Sequence, residues 1–559
     1  MIYKPVIDKI EDWPINKISL QKDKILQETI SEAILQLQKD YPTDQKIREQ
    51  IQKTLYLERI RLKTEPWEVD PEDEAEFWSG VKKNVLRSVT AETQEATALT
   101  VQKNQETLEA IVSRYAQEMI GNFSPRLFWF ARQILRRIFA RLFNSHFSSL
   151  KELFRPQDTL KDKLIVSGSV DKIRNLATKG TIVLVPTHFS NLDSVMIGFA
   201  MDYIGMPAFQ YGAGLNLFNS KFFSLFMGNL GAYKLDRRKK NPIYLETLKQ
   251  FSKTNVMAGA HTIFFPGGTR SRNGAIETNL KLGLLGTVID AQREHFENNP
   301  VDLAPKIFVI PLVLSYNFVL EASSLIGDYL KRTGKENYLV QESTQVPLKA
   351  IWNFLWETFS KSSDVHVSLG EPMDVFGNNI DDEGNSLDNN NHILQIDKYF
   401  YTNGAFKRDN QREMIYTQFL GERIVNSFQR NNVVKTAHVV PFVAFELLKK
   451  KIGTSDIYTI LRLPEEDREI EWEDFKMNMK IIIDELYNLN NKGKLKLSQN
   501  LITKELDEII ELGIQNISIY HTNLPLLKNK KGNITSEDLQ LLYYYHNRMD
   551  GYGLEKFIR

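Results

Sequence analysis

TIVLVPTHFSNLD, Thr181 to Asp193, is the stretch whose reading decides the fold. Ile182 to Val185 is a short apolar run rich in β-branched residues and closed by Pro186. Such a run predicts a strand buried on both faces. Ser190 and Asn191 are residue types that cap helix N-termini, and Leu192 to Ala200 continues as an apolar helix. His188 therefore falls in a strand-to-helix turn, where parallel α/β sheets collect their chemistry. Asp193, five residues on, can fold back on the imidazole and decide which ring nitrogen carries the proton. The same spacing recurs at His392 and Asp397, but behind the polar run Asn389-Asn390-Asn391 and with no strand before it. Catalysis is expected of the first pair only.

Outward from that turn, strands and helices alternate. Strands are expected at 163–167, 181–186, 231–235, 262–266, 307–314 and 365–369. Helices are expected at 192–203, 220–229, 243–257 and 280–297. This alternation predicts an α/β domain, 161–375, built on a mostly parallel sheet flanked by helices. Residues 1–160 read as a helical region, with amphipathic patterns at 23–39, 44–62 and 90–122. Within it, Ser124-Pro125 is a strong helix start. The following RLFWFARQILRRIFARLF has an aromatic, apolar side and an arginine side carrying Arg132, Arg136, Arg137 and Arg141. Such a helix at 125–143 suits either an anionic membrane interface or packing against the α/β domain. Residues 376–410 are polar and read as a linker, and 411–559 as a C-terminal helical region. No internal repeat is evident.

At 559 residues with 42% hydrophobic and 25% charged, the chain has the composition of a soluble multidomain protein. A net charge of +1 argues against a nucleic-acid partner. The absence of cysteine removes disulfides, thiolate metal sites and a Cys acyl-enzyme, and suits a reducing compartment. Neither a signal peptide nor a run of about 18 apolar residues is seen. A cytoplasmic protein able to touch a membrane surface is the resulting expectation.

Two cationic blocks follow His188. GAYKLDRRKK, Gly231 to Lys240, is a strand that exits into basic residues, including Arg237 and Arg238. FFPGGTRSR, Phe264 to Arg272, runs a buried strand into Gly267-Gly268 and then Arg270 and Arg272. Adjacent glycines let the backbone approach an anion, and the guanidinium groups can hold a phosphate by charge-assisted hydrogen bonds. A general base beside two cationic clusters suits a phosphate-bearing alcohol. No Gly-x-Ser-x-Gly elbow, Walker A loop or zinc-binding spacing competes.

HFSNLD, GAYKLDRR, FFPGGTRSR and FVIPLVLSYNFVLE, in that order, resemble the four sequence blocks of the glycerolipid acyltransferases, in particular their membrane-associated bacterial glycerol-3-phosphate type. The likeness extends faintly to 115–143, VVPFVAFELL and LQLLYYYHNRMD. It implies transfer of a fatty acyl group from acyl-CoA or acyl carrier protein to the sn-1 hydroxyl of glycerol 3-phosphate. The donor would be a co-substrate, with neither a cofactor nor a metal. The resemblance makes His188 the general base, oriented by Asp193, and Arg270 and Arg272 ligands of the phosphate. Arg237 matches a basic position of the second block. Pro311 marks the fourth block, usually assigned to acyl-donor binding. It also implies phospholipid synthesis on the inner face of the cell membrane, with the protein held peripherally. Two departures stand out. The third block usually carries Glu where this chain has Gly267. The second usually carries Arg where it has Asp236, leaving Arg237 or Arg238 to substitute. Acylation of 1-acylglycerol 3-phosphate or another polar lipid, and an inactive lipid-binding scaffold, remain as alternatives.

Overall fold

The computed structural model describes residues 3–87, 94–143, 164–215, 228–333, 364–518 and 521–559. Its centre is a seven-stranded sheet in the order β1-β7-β6-β2-β5-β3-β4. The strands are β1 Leu164–Gly168, β2 Gly180–Pro186, β3 Gln210–Gly214, β4 Ala232–Leu235, β5 Thr262–Ile263, β6 Lys306–Ser315 and β7 Val365–Leu369. Five neighbours, β4, β3, β5, β2 and β6, run parallel. β7 is antiparallel to β6 and parallel to β1. The expected mostly parallel α/β sheet is thus present. All five parallel strands deliver their C-terminal ends to one edge, where a parallel sheet places its site.

β2 lies inside the sheet because both of its faces are apolar. Ile182 and Leu184 enter one core with Met196, Ile197 and Ala200. Val183 and Val185 enter the other with Leu285, Val288, Val440 and Phe445. β6 alternates in the same way, Phe308 and Ile310 on one side and Ile307 and Val309 on the other. β3 was not expected as a strand. Gln210-Tyr211-Gly212-Ala213-Gly214 has no apolar run, and it is extended because it pairs β5 and β4 on either side. β5 is shorter than expected and ends at Ile263.

The N-terminal region is helical: α1 Pro14–Leu20, α2 Lys22–Asp40, α3 Asp44–Thr64, α4 Glu74–Arg87, α5 Gln94–Met119 and α6 Pro125–Phe143. Of these, α2 to α5 share a core with Tyr244, Leu248 and Phe251 of the helix Pro242–Met257. They are therefore packed on the α/β domain. The first half of α6 is anchored too. Phe128 packs edge-on against Trp13, and Ala131 is buried. Arg132, expected to face headgroups, instead pairs with Asp202. Trp129 and Phe130 are each more than half exposed. The side chains of Arg136, Arg137 and Arg141, and most of the expected 220–229 helix, lie outside the described residues. No described helix is long and apolar enough to cross a membrane.

The expected linker at 376–410 is a folded wall. Asp374, Asp381 and Asp388 stand seven residues apart, and each carboxylate accepts the N–H of the residue four positions later, Asn378, Asn385 and His392. Gly377, Gly384 and Asn391 take positive φ at matching places. This is a short internal repeat of tight turns, and it buries Val375, Phe376 and Ile380. The C-terminal helices, chiefly Thr436–Ile452, Trp472–Asn491, Leu506–Ser518 and Leu539–His546, continue the same core as β2 and β6.

Candidate active site

β2 stays tied to β6 up to the residue before His188. The Thr187 N–H donates to Leu312 O at 3.0 Å, and its Oγ1 accepts the Leu314 N–H at 3.2 Å. His188 Nδ1 lies 2.8 Å from Asp193 Oδ2. The same oxygen accepts the N–H groups of Phe189 at 2.6 Å and Ser190 at 2.9 Å, and Oδ1 accepts the Tyr316 hydroxyl at 2.7 Å. Burial, reinforced by the Asp193 charge, pushes the Tyr316 hydroxyl well above its ordinary value, so it remains a donor. An acceptor-only carboxylate held by these groups assigns the proton to Nδ1 and leaves the Nε2 lone pair for another partner. Phe265 stacks on the imidazole with centroids 4.2 Å apart, restricting its rotation. The His188 side chain is 11% exposed, which keeps one edge open.

The local folding differs from expectation at one point. The helix begins at Asp193, and neither Ser190 nor Asn191 is its N-cap. Ser190 Oγ accepts the Leu192 N–H and donates to Glu321 Oε2, 3.0 Å away. The turn is closed by Asp193 itself, whose carboxylate reaches back to the preceding N–H groups. One residue both shapes the turn and orients the base.

The third block docks directly on this turn. The Ser271 N–H donates to His188 O at 2.7 Å, which places Arg270 and Arg272 on either side of that contact. Arg270 Nη1 is 3.2 Å from Glu321 Oε1, which also accepts the Asn191 N–H. Gly268 adopts φ +71°, a left-handed conformation that favours glycine, and its N–H closes a turn on Phe265 O. That N–H is therefore not free to meet an anion. A Cβ at Gly268 would come within 2.8 Å of Lys281 Nζ.

The adjacent arginines of the second block separate completely. Arg238 donates to both oxygens of Asp236, to Asp70 and to Glu65 O, and its guanidinium lies 3.8 Å above the Trp67 ring. Those partners hold it above its usual value against the effect of burial. Arg238 is thus part of the contact with the N-terminal helices and is removed from the anion-binding set. Lys239 is likewise paired, with Glu118 and Glu74. Arg237 has neither a hydrogen bond nor an ion pair among the described residues. Its side chain is exposed. The surrounding protein, together with Arg270 and Arg272, lowers its guanidinium below its usual value. Arg272 is lowered by burial and by Arg332 and Arg270, with Asp328 opposing. Arg237, Arg270 and Arg272 thus lie close enough to act on one another, and like charges so gathered favour an anion between them.

Pro311 is not on this surface. It sits in β6 opposite Val185, buried, with its carbonyl accepting the Gly370 N–H. It can affect a ligand only through the strand it belongs to.

Several site residues were not singled out from the sequence. Tyr316 and Glu321 lie inside the fourth block, where an acid and a phenol just past a buried strand were a usable signal. Lys281 precedes the helix Leu282–Asn298 and was visible only as a basic residue at a helix start. Glu277 gave no local signal, and Arg548 lay in the faintly similar stretch LQLLYYYHNRMD without being singled out. Arg548 is buried, which lowers it to about 10. It donates to Leu314 O and Ser315 Oγ at the end of β6, and its guanidinium lies 4.0 Å above the Phe189 ring. The C-terminal region thereby buttresses the His188 turn.

Residues 169–315 match the family model described as Acyltransferase. With the parallel sheet and the turn at its C-terminal edge, this part of the chain is similar to that family. Among curated proteins the chain is similar to two named glycerol-3-phosphate acyltransferase. The one from Hamiltonella defensa subsp. Acyrthosiphon pisum is 30% identical over 173 residues, covering 30% of this chain and 20% of that protein. The one from Pseudomonas paraeruginosa is 23% identical over 271 residues, covering 48% and 28%. It is also similar to the dihydroxyacetone phosphate acyltransferase of Mus musculus, 24% identical over 296 residues, covering 52% and 39%. The chain thus spans between a fifth and two fifths of the length of these relatives.

Proposed function

We propose that this protein transfers a fatty acyl group from acyl-CoA or acyl carrier protein to the sn-1 hydroxyl of glycerol 3-phosphate, giving lysophosphatidate. The observation that carries this reading is the Ser271–His188 contact. It ties the backbone of the segment carrying Arg270 and Arg272 to that of His188, whose Nδ1 is engaged by Asp193. In the reaction, the phosphate is held by Arg237, Arg270 and Arg272, with Lys281 above Gly268. His188 Nε2 takes the proton of the sn-1 hydroxyl. The oxygen attacks the thioester carbonyl carbon, the C–S bond breaks, and the thiolate recovers the proton from His188. Asp193 steadies the imidazolium between these steps. With no cysteine in the chain and no serine elbow, direct transfer within a ternary complex replaces an acyl-enzyme.

The test is an acyl-transfer assay with purified protein, labelled palmitoyl-CoA or palmitoyl-carrier protein, and each of three acceptors. Turnover with glycerol 3-phosphate is expected. Preference for 1-acylglycerol 3-phosphate or dihydroxyacetone phosphate would move the acceptor assignment within the family. Binding of lysophosphatidate without turnover would reject the enzyme in favour of a scaffold. For the membrane, we propose peripheral attachment through the exposed Trp129 and Phe130 of α6. Replacing both with Ser should reduce sedimentation with anionic vesicles at least several-fold. Unchanged binding would place the contact elsewhere.

A further inference from the structure

One carboxyl group in the site has no role in the steps above. Glu277 lies in the loop between the Gly267-Gly268 turn and the helix Leu282–Asn298. Its Oε1 accepts the His188 backbone N–H at 2.8 Å. Its Oε2 is buried and has no hydrogen-bond partner among the described residues. Burial first, and then the neighbouring Asp193, push the carboxyl up to about 7, with Arg548 and the His188 N–H acting in the opposite sense. A buried carboxyl with an unused oxygen costs stability, so its retention beside the base calls for a functional reason.

Gly267 supplies the second observation. A Cβ built there would lie 3.1 Å from Glu277 Cγ and 3.3 Å from Glu277 Oε1. In a glutamate side chain the carboxylate oxygens stand roughly 3 to 3.7 Å from their own Cβ, by ordinary bond lengths and staggered torsions. The point where Glu277 Oε1 now sits is therefore within the reach of a glutamate at 267. A side chain at 267 would crowd Glu277, whose Oε1 holds the acceptor position under the His188 N–H. Position 267 is also where the resemblance to the third block implies Glu and this chain has Gly.

We propose that Glu277 is a positioning residue for His188, supplying from ten residues downstream the one carboxylate that positions 267 and 277 share. It holds the His188 backbone from below while Asp193 holds the ring, so the direction of Nε2 is set from both ends. Gly267 is glycine because that carboxylate occupies its side-chain space. This inference rests on the acyltransferase reading for its kinetic consequence, but not for its geometry.

The experiment compares wild type with Glu277→Ala, Gly267→Glu and the double variant Gly267→Glu/Glu277→Ala. Each is checked for folding by thermal melting. Glu277→Ala should lower kcat about 10- to 100-fold, with the KM for glycerol 3-phosphate changed less than about threefold, because the base is misdirected while the phosphate site is intact. Gly267→Glu alone should also lose activity through the clash. The double variant should recover to within about fivefold of wild type. A double variant no better than the weaker single variant, or a Glu277→Ala enzyme with unaltered kcat, would overturn the proposal. Amide hydrogen exchange at His188 provides the arm that does not require turnover. Its protection should fall in Glu277→Ala and return in the double variant. Failure of that pattern defeats the inference even in a protein with no acyltransferase activity. Its success without turnover would leave the geometry standing and remove the proposed reaction.

Discussion

The turn at 188–193 and the segment at 388–397 contain the same spacing between an imidazole and a carboxylate, and the molecule treats them in opposite ways. His188 follows a strand buried on both faces, its ring stacked on Phe265 and its Nδ1 on the fully buried Asp193. His392 is 77% exposed in its side chain and ignores Asp397. It pairs at 3.3 Å with Asp388, the carboxylate that closes its own hairpin. The spacing alone is chemically neutral. What makes the first pair a candidate base is the exclusion of water, the number of donors converging on Asp193, and cations delivered from two other strand ends.

The largest effect that can break this comparison is His188→Ala. Loss of a positioned general base should reduce kcat by about 10³-fold while the melting curve stays cooperative. Retained turnover would put the two histidines on an equal footing. Asp193→Asn comes next, with about a hundredfold loss in kcat and a lowered melting temperature. The amide restores the shape but cannot accept from all of its donors, and it releases the tautomer.

The titration of the two regions should also differ in sign. The Glu277 carboxyl is raised to about 7 from an ordinary 4.5. Its contribution to stability is complete below about pH 4.5 and lost as pH rises through about 7. The loss amounts to about 3 kcal/mol by the size of that shift. Asp388 is lowered, chiefly by the His392 backbone N–H. Its contribution is present above the ordinary aspartate value and lost as pH falls. Chemical denaturation of Glu277→Gln between pH 5 and 8 should show a flatter profile than wild type, whereas Asp388→Asn should differ from wild type only in acid.

A smaller effect separates the neighbouring arginines of the second block. Arg237→Ala should raise the KM for glycerol 3-phosphate about tenfold, the scale of one charged contact. Arg238→Ala should leave that KM alone and lower the melting temperature, because Asp70 and Asp236 lose their shared partner. Reversed outcomes would return Arg238 to the phosphate site. The smallest effect is His392→Ala, expected to change activity less than twofold and stability by less than about 0.5 kcal/mol.

Much of this arrangement was legible in the residues. β2 and β6 announced themselves by apolar, β-branched runs, and the C-terminal ends of parallel strands are where a site belongs. The misses have identifiable causes. β3 is a strand through its two neighbours rather than through its own composition. The 374–392 segment was polar, so its seven-residue recurrence of Asp and positive-φ positions passed for a linker, although the spacing was there to be read. The N-cap at Ser190 and Asn191 failed because Asp193 reaches backward and takes the N–H groups that a cap would leave exposed.

By itself the sequence determined the α/β alternation, the strand-to-helix turn carrying His188 and Asp193, and the presence of two basic segments at strand ends. Those features depend on local periodicity and on neighbours within a few residues. Only the tertiary structure decided which members of the basic segments are tied up in ion pairs and which stay exposed. Arg237 and Arg238 are adjacent in the chain but project to different surroundings. The choice between them is made by Asp70 and Trp67, more than 160 positions away. The same holds for Glu277, Tyr316 and Arg548 around the His188 turn. Their roles come from proximity in space, which chain spacing does not encode.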